Sequence, residues 1–347
     1  MERLLNMMPD EIITWMKNRG EPSFRGRQLM QALYQGQEID EITTLSKPLR
    51  ASIMECAVTG GVLIHQKHRS RDGETQKFLF LLDDGHMVEG VLMGYRHGRT
   101  LCVSSQVGCR MGCQFCASTL AGLERQLRPG EMVGQVVVVN RLLRERGEAP
   151  VNHVVIMGSG EPFDNYGHVV TFLRLLTHEA TLHMSCRNIS LSTCGLTPAI
   201  RDFIDEELPV TLCISLHAPN DALRVQLMPV AKAHPLPALM SVCREYVQIT
   251  GRRVIFEYAL IDGINDAPEQ AEQLAVLLRG FQCHVNLIPL NDVAERGYRA
   301  SPPQRIQAFM DTLNSRHISA TRRREMGSDI AGACGQLRNQ TLNGVHK

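Results

Sequence analysis

The chain has 347 residues, 44% of them hydrophobic and 21% charged, and its 37 Lys and Arg against 36 Asp and Glu give a formal net charge of +1. On a prior of roughly 150 residues per domain this is one large domain or two unequal ones, with enough apolar material for a sizeable core. A disordered or fibrous chain is excluded, and so is a uniformly basic nucleic-acid coat, though not a local basic patch. No apolar run reaches the roughly 18 residues a membrane span needs, and Met1-Glu2-Arg3-Leu4-Leu5-Asn6 opens no signal-peptide pattern, so a cytoplasmic protein without membrane partners is expected. Eleven cysteines cannot all form intrachain disulfides; in a cytosolic chain, clustered cysteines point to metal binding or catalysis.

Before about residue 58 the chain reads as helical. Pro9-Asp10-Glu11 opens a run that ends at Gly20, with proline inside its start and glycine past its end. Ser23 is placed to cap a second helix with Leu29, Met30, Leu33 and Tyr34 on its apolar face, and Ser46 and Pro48 open a third. Between 60 and 97 the character changes. Short apolar runs, Phe78 to Leu82 and Val88 to Met93, are separated by the turn dipeptides Asp72-Gly73 and Asp84-Gly85, which predicts a small antiparallel segment.

From about 100 a repeating unit appears. Strand-like runs at 101–105, 153–157, 188–192, 211–215, 254–260 and 284–288 each precede a helix-like stretch, at 130–144, 167–176, 197–206, 236–248, 268–279 and 303–315. Six such units predict an α/β fold, a parallel sheet wrapped by helices, with the chemistry in the loops after the strands. Periodicity does not separate an open sheet from a barrel.

The first of those loops holds Cys109-Arg-Met-Gly-Cys113-Gln-Phe-Cys116. Three cysteines spaced x3 and x2 can converge on one metal centre. Tetrahedral zinc wants a fourth ligand of similar kind, and no neighbouring cysteine or histidine supplies one at zinc-ribbon spacing. Three thiolates on a four-iron cluster leave one iron open to a substrate or cofactor. Inert buried cysteines are the bland reading, but three of them with an interleaved glycine in one short loop are poor core material. A non-catalytic RNA-binding protein with a structural metal site is the alternative from another class.

This loop, with Phe115 before its last cysteine, resembles the radical S-adenosylmethionine (SAM) signature, and Gly158-Ser159-Gly160-Glu161-Pro162 resembles that superfamily's SAM-contacting Gly-Gly-Glu-Pro region. The resemblance implies a partial (βα)6 barrel, a [4Fe-4S] cluster on Cys109, Cys113 and Cys116, and SAM chelated by the open iron. Glycines admit close backbone approach and Glu161 can pair an ammonium. Ser104 to Cys109, Met157 to Pro162, Ser215-Leu216-His217-Ala218-Pro219-Asn220, Val285 to Leu290 and Ala333-Cys334-Gly335-Gln336-Leu337 together resemble the RlmN/Cfr adenosine methyltransferases, over nearly the whole chain.

That resemblance implies SAM contacts from Gly160, Glu161, Pro162, Ser192, Ser215, Leu216, His217 and Asn291, a methyl-carrying Cys334, a resolving Cys102 that forms a transient disulfide with it, and Glu89 as general base. It implies RlmN-type methylation of the C2 carbon of a 23S rRNA adenosine and, in many relatives, of a tRNA anticodon-loop adenosine; Cfr-type methylation at C8 is the close alternative. A flavodoxin-type electron donor and a monomer are expected. The expected organisation is an N-terminal helical RNA-binding unit (1–58), a β linker (59–97), the barrel core (98–325) and a C-terminal loop carrying Cys334 (326–347). Since net charge is near neutral, RNA contacts are expected from local clusters, Lys67-His68-Arg69-Ser70-Arg71 and Arg322-Arg323-Arg324.

Overall fold

In the computed structural model, which describes residues 1–291, 295–324 and 330, the chain opens with β1 (Glu2–Arg3) and three helices, α1 (Pro9–Lys17), α2 (Ser23–Tyr34) and α3 (Lys47–Cys56). Ser46 caps α3 by accepting the Leu49 amide, as its sequence predicts. Ser23 does not cap α2. It is the first helical residue, and Pro22 takes the cap position, because proline's fixed φ already suits the entry to a helix. Strand β2 (Ala57–Val58) pairs with β1 and closes this unit.

Three antiparallel strands follow, β3 (Leu63–Arg69), β4 (Thr75–Leu81) and β5 (Met87–Tyr95), turned at the two Asp-Gly dipeptides. They continue through β6 (Gly98–Val103) into the parallel part of the same sheet. A short hairpin, β7 (Gln106–Gly108) with β8 (Leu123–Gln126), clips together the two ends of the cysteine loop. The repeating units are α4 (Pro129–Glu145), β9 (His153–Ile156), α5 (Tyr166–Thr177), β10 (Ile189–Thr193), α6 (Thr197–Ile204), β11 (Thr211–Ser215), α7 (Asp221–Leu227), α8 (Leu236–Thr250), β12 (Val254–Leu260), α9 (Pro268–Leu278), β13 (Cys283–Pro289), α10 (Pro303–Ser315) and β14 (Ala320–Arg322). The main sheet has ten strands in the order β14-β13-β12-β11-β10-β9-β6-β5-β4-β3, so β14 and β3 are its edges among the described residues. The six predicted strand–helix units are present, and β14 adds a seventh parallel strand that sequence periodicity did not reveal.

Register separates the two faces of the sheet, because successive side chains alternate. One face carries Leu101, Val103, Val154, Ile156, Leu191, Leu212, Ile214, Phe256, Val285 and Leu287, which join α4, α5, α6, α8, α9 and α10 in one buried core. The other face is mixed. Lys77 pairs with Val91, Val91 with Cys102, Cys102 with Val155 and Val155 with Ser190. Ser192 pairs with Cys213, Ser215 with Glu257 and Glu257 with Asn286. This second face, concave in a partial barrel, carries the polar side chains and the site.

Candidate active site

A cavity with about 880 Å³ of empty space, part of it open to solvent, lies at the C-terminal ends of the parallel strands. Cys109, Cys113 and Cys116 line it together with Gly160, Glu161, Ser192, Ser215 and His217. Eight of the residues singled out from sequence therefore face one space, although they are drawn from four separate segments of the chain.

Local chemistry fixes each of them. Gly160 has φ of +114°, and a Cβ there would stand 2.6 Å from the Gln106 side chain; only glycine lets this loop lie against the cysteine hairpin. Gln106 braces both sides: its Oε1 accepts the Glu161 amide at 2.7 Å, and its amide nitrogen donates to Gln126 and to Asp164. Glu161 is buried. Its two carboxylate oxygens accept the Phe163 and Cys194 backbone amides at 3.0 and 2.7 Å. Burial raises its pKa, and these hydrogen bonds oppose the rise. The Ser192 and Ser215 hydroxyls are 3.4 Å apart.

His217 adopts φ of +57°, unusual for a non-glycine residue. Its Nδ1 accepts the Ala259 amide at 2.9 Å and its ring meets Phe115 edge-on. Burial, followed by the nearby Arg224 charge, pushes its pKa down to about 3. The ring is thus neutral, with the proton on Nε2.

The cysteine loop packs through Met111, Cys113 and Phe115 on Leu227, Met228 and Ile261. Burial pushes the Cys109 thiol up to about 12 and raises Cys113 as well, with Cys116 repulsion adding to both. A bare cavity therefore favours neutral thiols, and a cationic centre is what would draw three thiolates here. No three His, Cys, Asp or Glu among the described residues converge as closely as the ligands of a single ion. A cuboidal cluster makes no such demand, since it places each thiolate on a different iron. The three-thiol loop and the space beside it fit a [4Fe-4S] cluster with one open iron.

Glu89 and Cys102 sit one layer deeper and do not line the cavity. Glu89 lies two residues before Val91, hence on the same sheet face as Cys102. Its carboxylate is 3.0 Å from the Lys77 ammonium, and both side chains are almost fully buried. Cys102 packs with Val91, Met93, Val155 and Met157, and Met157 also lines the cavity. Ser104 joins the layers, donating to the Glu89 carbonyl at 2.7 Å and accepting the Ser159 amide at 2.9 Å. Pro162 and Leu216 are buried beside the site without lining the cavity, and Asn291 is exposed. Cys334 lies outside the described residues. No disulfide is formed among the described cysteines, and the expected transient partner of Cys102 is Cys334.

Sequence reasoning missed Glu257, which lines the cavity from β12 and accepts the Asn286 amide at 2.8 Å. Its signal was present: a lone acid inside the apolar run Val254 to Leu260. Arg323, expected with Arg322 and Arg324 among the RNA phosphate contacts, lines the cavity just past the end of β14, whereas Arg322 and Arg324 are exposed.

Comparison with known proteins agrees with this geometry. Residues 103–275 match the radical SAM superfamily, and residues 3–59 match the ribosomal RNA large subunit methyltransferase N-terminal domain. A protein of Bacillus subtilis (strain 168) described as a probable dual-specificity RNA methyltransferase RlmN is 48% identical over 331 residues, 95% of this chain and 91% of the relative. The like-named protein of Lachnospira eligens is 47% identical over 339 residues, covering 97% of this chain and 95% of its own. The chain belongs to the RlmN family of radical SAM RNA methyltransferases. The crystal structure of a radical SAM methyltransferase from Sphaerobacter thermophilus superposes with a TM-score of 0.94 at 43% identity, covering 97% of this chain and 99% of that one. The expected α/β radical SAM fold is thereby established, and with it the family's cofactors, a [4Fe-4S] cluster and SAM. No helix among the described residues is long and apolar enough to cross a membrane.

Proposed function

We propose that this enzyme methylates the C2 carbon of an adenosine in 23S rRNA, and of an adenosine in the tRNA anticodon loop, through an S-methylated Cys334. The observation that carries the reading is the layered site: the cluster cysteines and Glu161 share one cavity, and Glu89 and Cys102 share the sheet face directly behind it. The C2 carbon of adenine is electron-poor and cannot displace a methyl group from SAM as an amine or hydroxyl can. A thiolate can, so Cys334 takes the methyl group first, by displacement.

When bound, the cluster and a second SAM supply the 5'-deoxyadenosyl radical that removes a hydrogen atom from this S-methyl group. The chain's own residues do the rest. Glu161 orients the SAM ammonium, and Ser192, Ser215 and the Nε2–H of His217 offer polar contacts along the cavity. Once the methylene carbon is joined to the ring, Glu89 removes the ring proton, and the Cys102 thiolate attacks the Cys334 thioether sulfur. The S–S bond forms as the S–CH2 bond breaks, and the freed carbon takes up a proton to become the methyl group and release the RNA. The one electron left over from the radical addition would return to the oxidised cluster. The disulfide formed must then be reduced. An external low-potential donor of the flavodoxin type serves the cluster, and the enzyme acts as a cytoplasmic monomer. The adenine leaves its stack to reach the site, as base-modifying enzymes require.

Digestion of RNA from an expressing strain, followed by mass spectrometry, locates the methyl group. The expected product is 2-methyladenosine, and exclusively 8-methyladenosine would assign the Cfr-type reaction instead. Cys102→Ala is expected to trap a covalent protein–RNA adduct, so normal product formation by this variant would remove Cys102 from the mechanism.

A further inference from the structure

Arg224, on α7, is completely buried. Its Nη1 donates to the His234 carbonyl at 3.0 Å and its Nη2 to the Cys194 carbonyl at 2.6 Å. Its buried Nε meets no hydrogen-bond partner among the described residues, and no described carboxylate lies within ion-pair distance of the guanidinium. Asp221, one turn earlier, bears on it electrostatically, but an oxygen of that carboxylate accepts the Leu236 amide. A buried charge without a counter-ion is among the costliest features a fold can keep.

The helix that carries this cation packs against the cysteine loop. Cys113 and Arg224 lie within electrostatic range of one another. The Gln114 amide donates to the Leu227 carbonyl at the end of α7, and Cys113 and Phe115 pack on Leu227 and Met228. Three thiolates on a four-iron core make a net anion, and one-electron reduction makes it more negative still. We propose that Arg224 is the buried counter-ion of the cluster: it holds the charge of the cysteine loop and raises the cluster's reduction potential, so that a biological donor can reduce it. Arg224 is a positioning residue, acting through Cys113 and the cluster rather than on SAM or RNA. The proposal rests on the cluster reading of Cys109, Cys113 and Cys116. Net charge and burial around a cluster are recognised determinants of its potential.

The test compares full-length wild type with Arg224→Met, Arg224→Gln and Arg224→Lys, each reconstituted anaerobically. The midpoint potential is read by electron paramagnetic resonance during dithionite titration, and melting temperature is measured with and without the cluster. Both neutral variants are expected to show a more negative potential, and Arg224→Lys a potential near wild type. The rise in melting temperature on cluster loading is expected to be smaller in the neutral variants, because wild type gains a counter-ion as well as a ligand. Normal cluster uptake with an unmoved potential in the neutral variants overturns the Arg224 assignment alone. Failure of both neutral variants to fold even without the cluster assigns Arg224 to the scaffold and also overturns it. A wild-type chain that takes up no four-iron cluster removes the cluster reading, and this proposal with it.

Discussion

His217 shows how far a single residue could be read. Its place in Ser215-Leu216-His217 marked it as a cofactor contact, and it does line the cavity. Its left-handed backbone and its neutral ring were invisible in sequence, because the ring is neutral only once the fold buries it and brings Arg224 near. The same burial makes a prediction about acid. An unfolded histidine titrates near ~6.5, whereas the folded ring titrates at about 3. Below pH 6.5 the unfolded chain binds a proton that the folded chain refuses, so this group's stabilisation is present above pH 6.5 and is lost as pH falls toward 3. The loss approaches about 1.4 kcal/mol per pH unit. Asparagine keeps a neutral acceptor and tolerates positive φ. His217→Asn is therefore expected to be less stable than wild type at pH 7, through lost packing on Phe115, with a gap that narrows as pH falls to 4.5. Urea denaturation at several pH values measures the difference between the two, in which contributions common to both cancel. A gap that does not change with pH would contradict the buried neutral ring.

At the scale of elements, apolar periodicity located the six repeating strands and the helices between them to within a few residues, because each buries one face against a neighbour. It did not locate β14 or the β7–β8 hairpin. Each of these pieces is three or four residues long, too short for an alternation to stand out, and each is held by pairing with a distant segment. Helix docking was equally hidden. Gly134 in α4 faces Gly61 so closely that an added Cβ would lie 2.9 Å from the Gly61 Cα and 3.0 Å from the Val62 nitrogen. Both are backbone atoms and cannot swing aside. Helix propensity alone would make Gly134→Ala stabilising by roughly 0.8–1 kcal/mol. Forced overpacking costs ~1–3 kcal/mol, so the net expectation is destabilisation, read as a lower melting temperature. A raised melting temperature would mean that the segment at Gly61 and Val62 packs on α4 less tightly than this contact requires.

For the molecule as a whole, the near-neutral charge ruled out a basic coat and left RNA binding to local patches. The three-cysteine loop, the Gly-Ser-Gly-Glu-Pro loop and the helical N-terminal unit were legible as strings, and the structure brings the first two to one cavity, whereas Lys77 beside Glu89, Arg224 and the inward Arg323 emerge only once the chain is folded. The sheet now orders the basic residues. β3 is an edge strand, its residues Lys67, His68 and Arg69 are exposed, and His68 pairs in register with Lys77, in the row that continues to Cys102. Lys67 and Arg69 flank His68 on the other face of this strand, opposite Phe78 and Gln76, so an RNA whose adenosine reaches the cavity would meet both charges as it wraps over this edge. Each phosphate contact releases condensed counter-ions, so its loss lowers the slope of log affinity against log salt by about 1. The double charge reversal Lys67→Glu with Arg69→Glu is expected to weaken binding of a 23S rRNA fragment and to flatten that slope by about 2. SAM cleavage without RNA should continue, because neither residue touches the cavity. Binding isotherms at several salt concentrations decide the matter: an unchanged slope would move the RNA path away from the β3 edge and toward Arg322 and Arg324, which are exposed at the opposite edge of the sheet.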